Sequence, residues 1–351
     1  MKNAKLAAAR QARDDEFFTL TRDVEAEISA YLTEDPQLFR GKTVFLPCDD
    51  PESSAFAVFF RENFVDFGLK TLICTSFAEN KVPSKTSEQP ILDGLDGRVL
   101  DGLGSEERGK CLVLNASSLG GRPLREPATA WQALRGSGDF RSAEVSDLRN
   151  RADFIFTNPP FSLFSQFFSW VTEANVGFSV VGPLSAATSP QVFPFLQRLE
   201  VWLGQGFSGG NAYFSREKTR GIGNTQSESP AGLVKMRNIV WFTNLDHRGR
   251  HKPLVSREPN LNDGSRRRPY LAEDFPTFDQ IEAIEVSQVS QIPEGYTGLM
   301  GVPVSFLQSF SPEEFELVGL DRLMNENPRP GHRFTVGGKE TFARVFIRRW
   351  R

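Results

Sequence analysis

The sequence is poor in the residues that build disulfides and metal centres. It has three cysteines and three histidines in 351 residues, and Cys48, Cys74 and Cys111 form no CxxC or other zinc-type spacing. Such spacing is what predicts a disulfide framework or a zinc site. We therefore expect three reduced, mostly buried thiols and no metal.

Long apolar runs are also missing. No stretch approaches the 18 or more apolar residues of a membrane span, and the charged N-terminus (MKNAKLAAARQARDDE) has no signal-peptide core. The net charge of −3 excludes a generally basic coat, although a local basic groove is compatible with it. We expect a cytoplasmic globular enzyme with one large domain or two.

The most informative motif is Asn158-Pro159-Pro160-Phe161, within DFIFTNPPFSLF. It is typical of methyl transfer to a planar, conjugated amine, whose delocalised lone pair makes it a poor nucleophile. The Asn158 side-chain oxygen and the Pro159 carbonyl can accept hydrogen bonds from the amine as positive charge develops on its nitrogen. The prolines fix the backbone, and Phe161 offers a ring on which a flat base can stack. The alternative is a Pro-Pro turn that merely ends a strand.

Strand-like and helix-like segments alternate around the motif. Lys42 to Pro47, Thr71 to Phe77 and Ala152 to Thr157 are β-prone, and apolar helical spacing follows the first and third. This alternation predicts an α/β fold with a doubly wound, mostly parallel sheet of Rossmann type. The motif then lies at the carboxyl end of a strand, where such sheets place their sites. Asp50 is expected to cap the first helix.

Two further segments invite a functional interpretation. Gly204 to Gly209 satisfies GxGxxG, but the polar, Gly-rich stretch that follows predicts a substrate-side loop rather than a nucleotide site. The segment from Arg248 to Arg268 contains seven Lys or Arg residues and only two acidic residues. We expect Arg266, Arg267 and Arg268 to contact DNA. The alternative is that the segment is a solvated loop. A Gly337-Gly338 step between alternating runs predicts a C-terminal β-hairpin.

The chain resembles the EcoRI-type adenine-specific DNA methyltransferases. The resemblance runs nearly the whole length in seven collinear blocks: Asp15 to Thr19, Cys48 to Pro51, Glu79 to Lys81, Gly138 to Ser142, the TNPPFSLF stretch, Trp241 to Asp246, and Gly298 to Pro303. It implies transfer of a methyl group from S-adenosylmethionine to N6 of an adenine flipped out of double-stranded DNA. It also implies a methyltransferase domain over residues 1–246 and a target-recognition region over 247–351.

The resemblance further implies which residues hold the cofactor. Phe17 and Thr19 lie near its methionine end, and Cys48, Asp49 and Asp50 form the loop after the first strand. Glu79 is the acid for the ribose hydroxyls, Asp139 accepts from the adenine amine, and Phe140 packs on the adenine ring. The loop PCDDPESS lacks the glycines usual in methyltransferases at large, a lack that the EcoRI-type enzymes share.

Some alternatives stay open at this stage. The same tetrapeptide occurs in methyltransferases that act on ribosomal RNA guanines or on protein glutamine. The glycine-free loop is compatible with a catalytically silent DNA-binding protein. We expect a monomer, because methylating one strand per visit needs no two-fold symmetry. Any cognate restriction endonuclease would act as a separate protein, and the enzyme is either part of a restriction-modification system or an orphan.

Overall fold

The computed structural model describes residues 19–78, 108–119, 131–207, 211–215, 233–254, 270–327 and 331–350. Its helices are α1 (Thr21–Glu34), α2 (Ala55–Glu62), α3 (Ala116–Leu119), α4 (Ala143–Arg149), α5 (Phe164–Thr172) and α6 (Phe193–Gln197). Its strands are β1 (Thr43–Leu46), β2 (Thr71–Ser76), β3 (Lys110–Asn115), β4 (Gln132–Ala133), β5 (Phe154–Thr157), β6 (Gly177–Pro183), β7 (Trp202–Leu203), β8 (Asn211–Ser215), β9 (Leu233–Arg237), β10 (Ile239–Thr243), β11 (Ile284–Glu285), β12 (Met300–Pro303), β13 (Phe315–Leu320), β14 (Thr335–Val336), β15 (Lys339–Glu340) and β16 (Arg344–Arg349).

An eight-stranded sheet in the order β4-β3-β2-β1-β5-β6-β10-β7 forms the centre of the molecule. Its middle strands β2, β1, β5 and β6 pair in parallel. The edge strands pair antiparallel, β3 on β2 and β4 on β3 at one side, β10 on β6 and β7 on β10 at the other. Six of the eight strands therefore run the same way, and the mostly parallel, Rossmann-like sheet is confirmed.

The middle strands are buried on both faces, which explains why their sequences are continuous apolar runs. In β5, Ile155 joins the hydrophobic cluster that includes α4 and α5, whereas its neighbours Phe154 and Phe156 join the cluster of α1 and α2. Side chains alternate between the faces of a strand. Helices thus cover both faces of the sheet, as the doubly wound prediction requires.

A four-stranded sheet, β11-β12-β16-β13, follows in the C-terminal part. Its apolar residues belong to the same cluster as α5 and α6, so Leu317 and Phe306 share a core with Leu196. Arg344 of β16 and Glu285 of β11 form a buried ion pair within this sheet, with 2.9 Å from Nε to Oε1. Gly337 and Gly338, both at positive φ, join β14 and β15 in the predicted two-residue hairpin. The division at residue 246 stays a prediction.

The start of α2 differs from the expectation. Ser54 is its N-cap and accepts hydrogen bonds from Phe56 N and Ala57 N, at 3.1 and 3.5 Å. Asp50 instead caps the turn before the helix, where its Oδ1 accepts from Glu52 N and Ser53 N. The prediction of Asp50 as helix cap is therefore wrong by one turn, because a serine closer to the apolar run takes that position.

Candidate functional site

Three described loops that carry predicted site residues meet at one edge of the central sheet. Strands β1, β2 and β5 are neighbours and parallel, so their carboxyl ends lie together. Cys48, Asp49 and Asp50 follow β1, and Asn158 directly follows β5. This is the edge at which open α/β sheets bind their ligands.

Asn158 to Phe161 forms a stiff connection between β5 and α5. Asn158 is half-buried and Pro159 is buried. The Pro160 carbonyl accepts from Leu163 N at 2.9 Å, which closes a short 3-10 turn from Phe161 to Leu163 before α5 begins. The backbone of the motif is therefore held on both sides, by a buried strand and by a helical turn.

Asp49 lies beneath this motif and is 4% exposed. Its Oδ1 accepts from Ser54 Oγ at 2.5 Å and its Oδ2 from Thr157 Oγ1 at 2.6 Å. Burial raises the pKa of Asp49 to about 7, although the two hydroxyl hydrogen bonds oppose the shift. The side chain ties the loop after β1 to the residue before Asn158, a contact that sequence reasoning did not foresee.

The other residues of the first loop lie closer to solvent. Cys48 is half-buried and is not part of a disulfide. Asp50 forms an ion pair with Lys110, at 2.9 Å from Oδ2 to Nζ, and the same ammonium reaches Glu52 at 2.7 Å. It also lies 5.0 Å from the centre of the Trp131 ring. The Lys110 ammonium therefore offsets the negative charges of Asp50 and Glu52 in the loop after β1.

The Gly138-Asp139-Phe140 segment lies against the end of β2. A Cβ at Gly138, whose φ is +80°, would overlap the Ser76 carbonyl oxygen, so only glycine allows this approach. Asp139 is partly exposed and binds Arg141, at 3.0 Å from Oδ1 to Nε. Burial would raise the pKa of Asp139, but the hydrogen bonds and charge of Arg141 together hold it below its usual value.

Phe140 occupies a different environment from its neighbour. It is 4% exposed, and its ring packs against Phe167 and Trp170 with centroids 5.1 and 5.7 Å apart. The guanidinium of Arg141 lies 5.6 Å from the centre of the same ring. Phe140 is thus a core residue that anchors the loop. Its ring has no exposed face on which a cofactor could stack as predicted.

Thr19, at the start of the described chain, is 7% exposed, and its Oγ1 has no hydrogen-bond partner among the described residues. An unpaired buried hydroxyl costs free energy unless a ligand satisfies it. Phe17, Glu79 and Arg266 to Arg268 lie outside the described residues.

Glu27 of α1 is a fully buried carboxylate that sequence reasoning missed. Its Oε2 accepts from the backbone N–H groups of Gln205 and Gly206, both at 2.6 Å, and its Oε1 accepts from Tyr31 OH and Ser179 Oγ. Burial raises the pKa of Glu27, against these hydrogen bonds. Such paired N–H groups ordinarily bind anions. Two N–H groups in the described part of the GxGxxG segment therefore bind a carboxylate of the same chain.

A set of aromatic rings links this segment to the motif. Phe207 stacks on Trp241, with centroids 5.4 Å apart, and contacts Phe214 at 6.1 Å. Phe214, from β8, meets the ring of Phe161 edge-on at 6.4 Å. We call Phe161, Phe207, Phe214 and Trp241 the aromatic wall. The other three rings support one side of Phe161, which is the residue predicted to stack on the target base.

Neither metal ligands nor membrane spans stand out in the described ranges. No group of three or more His, Cys, Asp or Glu side chains there could hold a metal ion. No described helix is long and apolar enough to cross a membrane.

Comparison with known proteins gives a consistent picture. The family model described as adenine-specific methyltransferase EcoRI matches residues 5–349. The Type II methyltransferase M.EcoRI of Escherichia coli is 31% identical over 350 residues, covering 99% of this chain and 96% of that protein. The Type II methyltransferase M.MpnI of Mycoplasma pneumoniae is 29% identical over 97% of this chain and 96% of its own length. No solved structure gave a significant match.

Proposed function

The chain belongs to the EcoRI-type family of adenine-specific DNA methyltransferases, and from that premise we propose how its residues perform the reaction. It is a site-specific enzyme that methylates N6 of adenine in DNA. The residue assignment rests on one observation. Asn158 to Phe161 lies at the carboxyl end of β5, and its Phe161 ring is part of the aromatic wall.

We assign the acceptor chemistry to Asn158 and Pro159. The flipped-out adenine stacks on Phe161, and its amine donates hydrogen bonds to the Asn158 side-chain oxygen and the Pro159 carbonyl. These bonds draw the nitrogen lone pair out of the ring and strengthen as the nitrogen gains positive charge. The rigid connection between β5 and α5 keeps both oxygens in place, so no reorganisation is needed during reaction.

A methyl donor is required, and we propose that it is S-adenosylmethionine. When bound, it supplies a methyl group on a positively charged sulfur. The residues present fit such a group: the buried hydroxyl of Thr19 has no described partner, and Asp139 is a partly exposed carboxylate beside the glycine contact at the end of β2. We propose Thr19 and Asp139 as contacts, with Phe17, Cys48, Asp50 and Glu79 expected around them.

Asp49 and Phe140 receive different roles in this proposal. Asp49 is bound by Ser54 and Thr157 and is nearly inaccessible, so it positions the loop and Asn158 rather than contacting cofactor. Phe140 anchors the Asp139 loop from the core. We further propose that the enzyme acts as a cytoplasmic monomer on duplex DNA, with Arg266 to Arg268 contributing DNA contacts and any cognate restriction endonuclease acting separately.

The test is nucleoside mass spectrometry of unmethylated duplex DNA incubated with the enzyme and S-adenosylmethionine. We expect N6-methyladenine to accumulate, and Asn158→Ala to lower the rate at least about 100-fold, the usual effect of losing one group that stabilises charge in the transition state. Asn150→Ala is the matched control, because Asn150 is an exposed asparagine at the end of α4. Near-normal turnover by Asn158→Ala would refute the assignment.

A further inference from the structure

The β8–β9 hairpin stands at the same edge of the sheet as the catalytic motif. It lies in the chain between β7 and β10, and β10 starts opposite Pro183, the last residue of β6. Asn238 makes the sharp turn between β9 and β10 with a φ of +59°, and its carbonyl accepts from Leu184 N at 2.7 Å. The last residue of β9, Arg237, is therefore fixed close to the carboxyl end of β6, next to β5.

The two faces of the hairpin differ. Ala212 and Phe214 point inward, are at most 1% exposed, and make Phe214 part of the aromatic wall behind Phe161. The opposite face carries Lys235 and Arg237, both exposed, and the register places Lys235 across from Tyr213. The Lys235 ammonium lies 5.8 Å from the centre of that Tyr213 ring. One side of the hairpin thus supports the target-base residue while the other presents cations to solvent.

These two cations differ from others around the site. Arg141 and Lys110, which lie at the same edge of the sheet, each have a carboxylate partner within 4.0 Å. For Lys235 and Arg237 the described residues provide no such partner. Exposed cations without a neighbouring acid retain their full attraction for an external anion, which a salt bridge would reduce.

We propose that the outer face of the β8–β9 hairpin, with Lys235 and Arg237, binds DNA phosphates next to the target adenine. The proposal rests on the proposed function, because a base flipped out of the duplex and held at Phe161 leaves its own phosphates in the DNA backbone, beside this edge of the sheet. The outer face of the hairpin carries two cations and is fixed from behind by the aromatic wall, so it is suited to bind the DNA phosphate backbone. Lys235 and Arg237 are about 30 residues before the basic segment Arg266 to Arg268 in the sequence, so the two can be tested independently.

The test is the salt dependence of binding to a short mixed-sequence DNA duplex, measured for the wild type and for Lys235→Ala/Arg237→Ala. Each phosphate contact contributes about −0.9 to the slope of log K against log salt, so losing two should make the slope shallower by about 2. Both side chains are exposed, so we expect an unchanged melting temperature. The matched control is Lys70→Ala/Arg151→Ala, which removes two exposed cations located before β2 and β5, at the opposite edge.

The outcomes separate this proposal from the proposed function. A shallower slope for the hairpin variant, with the wild-type slope in the control, supports the phosphate contact. An unchanged slope in the hairpin variant overturns it, even where wild-type enzyme forms N6-methyladenine. Failure of the wild type to methylate DNA would instead count against the proposed function, because binding is measured without turnover.

Discussion

Replacing Asp49 by asparagine tests how a carboxyl group buried beneath the catalytic motif affects the stability of the protein. The folded protein raises the pKa of Asp49 to about 7, from 3.8. A shift of roughly three units corresponds to about 4 kcal/mol between the two protonation states. Between about pH 4 and about pH 7, Asp49 is protonated in the folded protein but ionised in the unfolded chain. The free energy of unfolding should therefore fall as pH rises through this range and then level off.

The asparagine variant has no proton to lose at this position. Its amide oxygen can accept from one hydroxyl and its amide nitrogen can donate to the other, since Ser54 and Thr157 can both donate and accept. Asp49→Asn should therefore be more stable than the wild type at about pH 8, by up to about 4 kcal/mol, and should lose that advantage near pH 4. Other buried acids titrate in both proteins and cancel in the difference.

The assay is denaturant unfolding of both proteins at several pH values, with the exposed Asp66→Asn as control. The control removes a carboxyl group from the surface instead of the core, so a stability gain at about pH 8 that only Asp49→Asn shows supports the reasoning. The reasoning fails if the stability difference between Asp49→Asn and the wild type stays constant from about pH 4 to about pH 8. It also fails if the variant is the less stable protein at the alkaline end.

Two further substitutions test contacts around the site. Glu27→Ala should destabilise the fold by about 4 kcal/mol in denaturant unfolding, because it removes the buried carboxylate that accepts from Gln205 N and Gly206 N. Glu27→Gln keeps an acceptor and should lose less than half as much. Gly138→Ala should lower the free energy of unfolding by more than about 2 kcal/mol, since its Cβ meets the Ser76 carbonyl. It should also weaken S-adenosylmethionine binding in calorimetry. Equal cofactor affinity would argue against the proposed role of Asp139. Gly136→Ala is its control, because a Cβ there meets only the end of the Glu144 side chain, at 3.6 Å.

The parts of the fold that sequence patterns predicted are those with local signals. The parallel strands β1, β2 and β5 are buried on both faces and appear in the sequence as unbroken apolar runs. The Gly337-Gly338 turn has a composition that specifies its geometry. The position of Asn158 followed from a strand before it and helical spacing after it.

The rest depends on contacts between distant parts of the chain. Glu27 lies 178 residues before Gln205, and Asp49 lies 108 residues before Thr157. No periodicity links such pairs, so a buried acid looks like one of many helix or loop acids in the sequence. The antiparallel edges escaped prediction for a similar reason, because short strands such as β4 carry little pattern of their own.

The hydrophobic cluster shared by α5, α6 and the C-terminal sheet has a consequence for how the protein unfolds. Leu196 and Phe193 pack in the same cluster as Leu317 and Phe306, across the position where the recognition region was expected to begin. A fragment ending at residue 246 would expose this apolar surface to water. Catalytic and recognition regions should therefore melt in a single cooperative transition, and the recognition region could not be exchanged between relatives without redesigning the shared core.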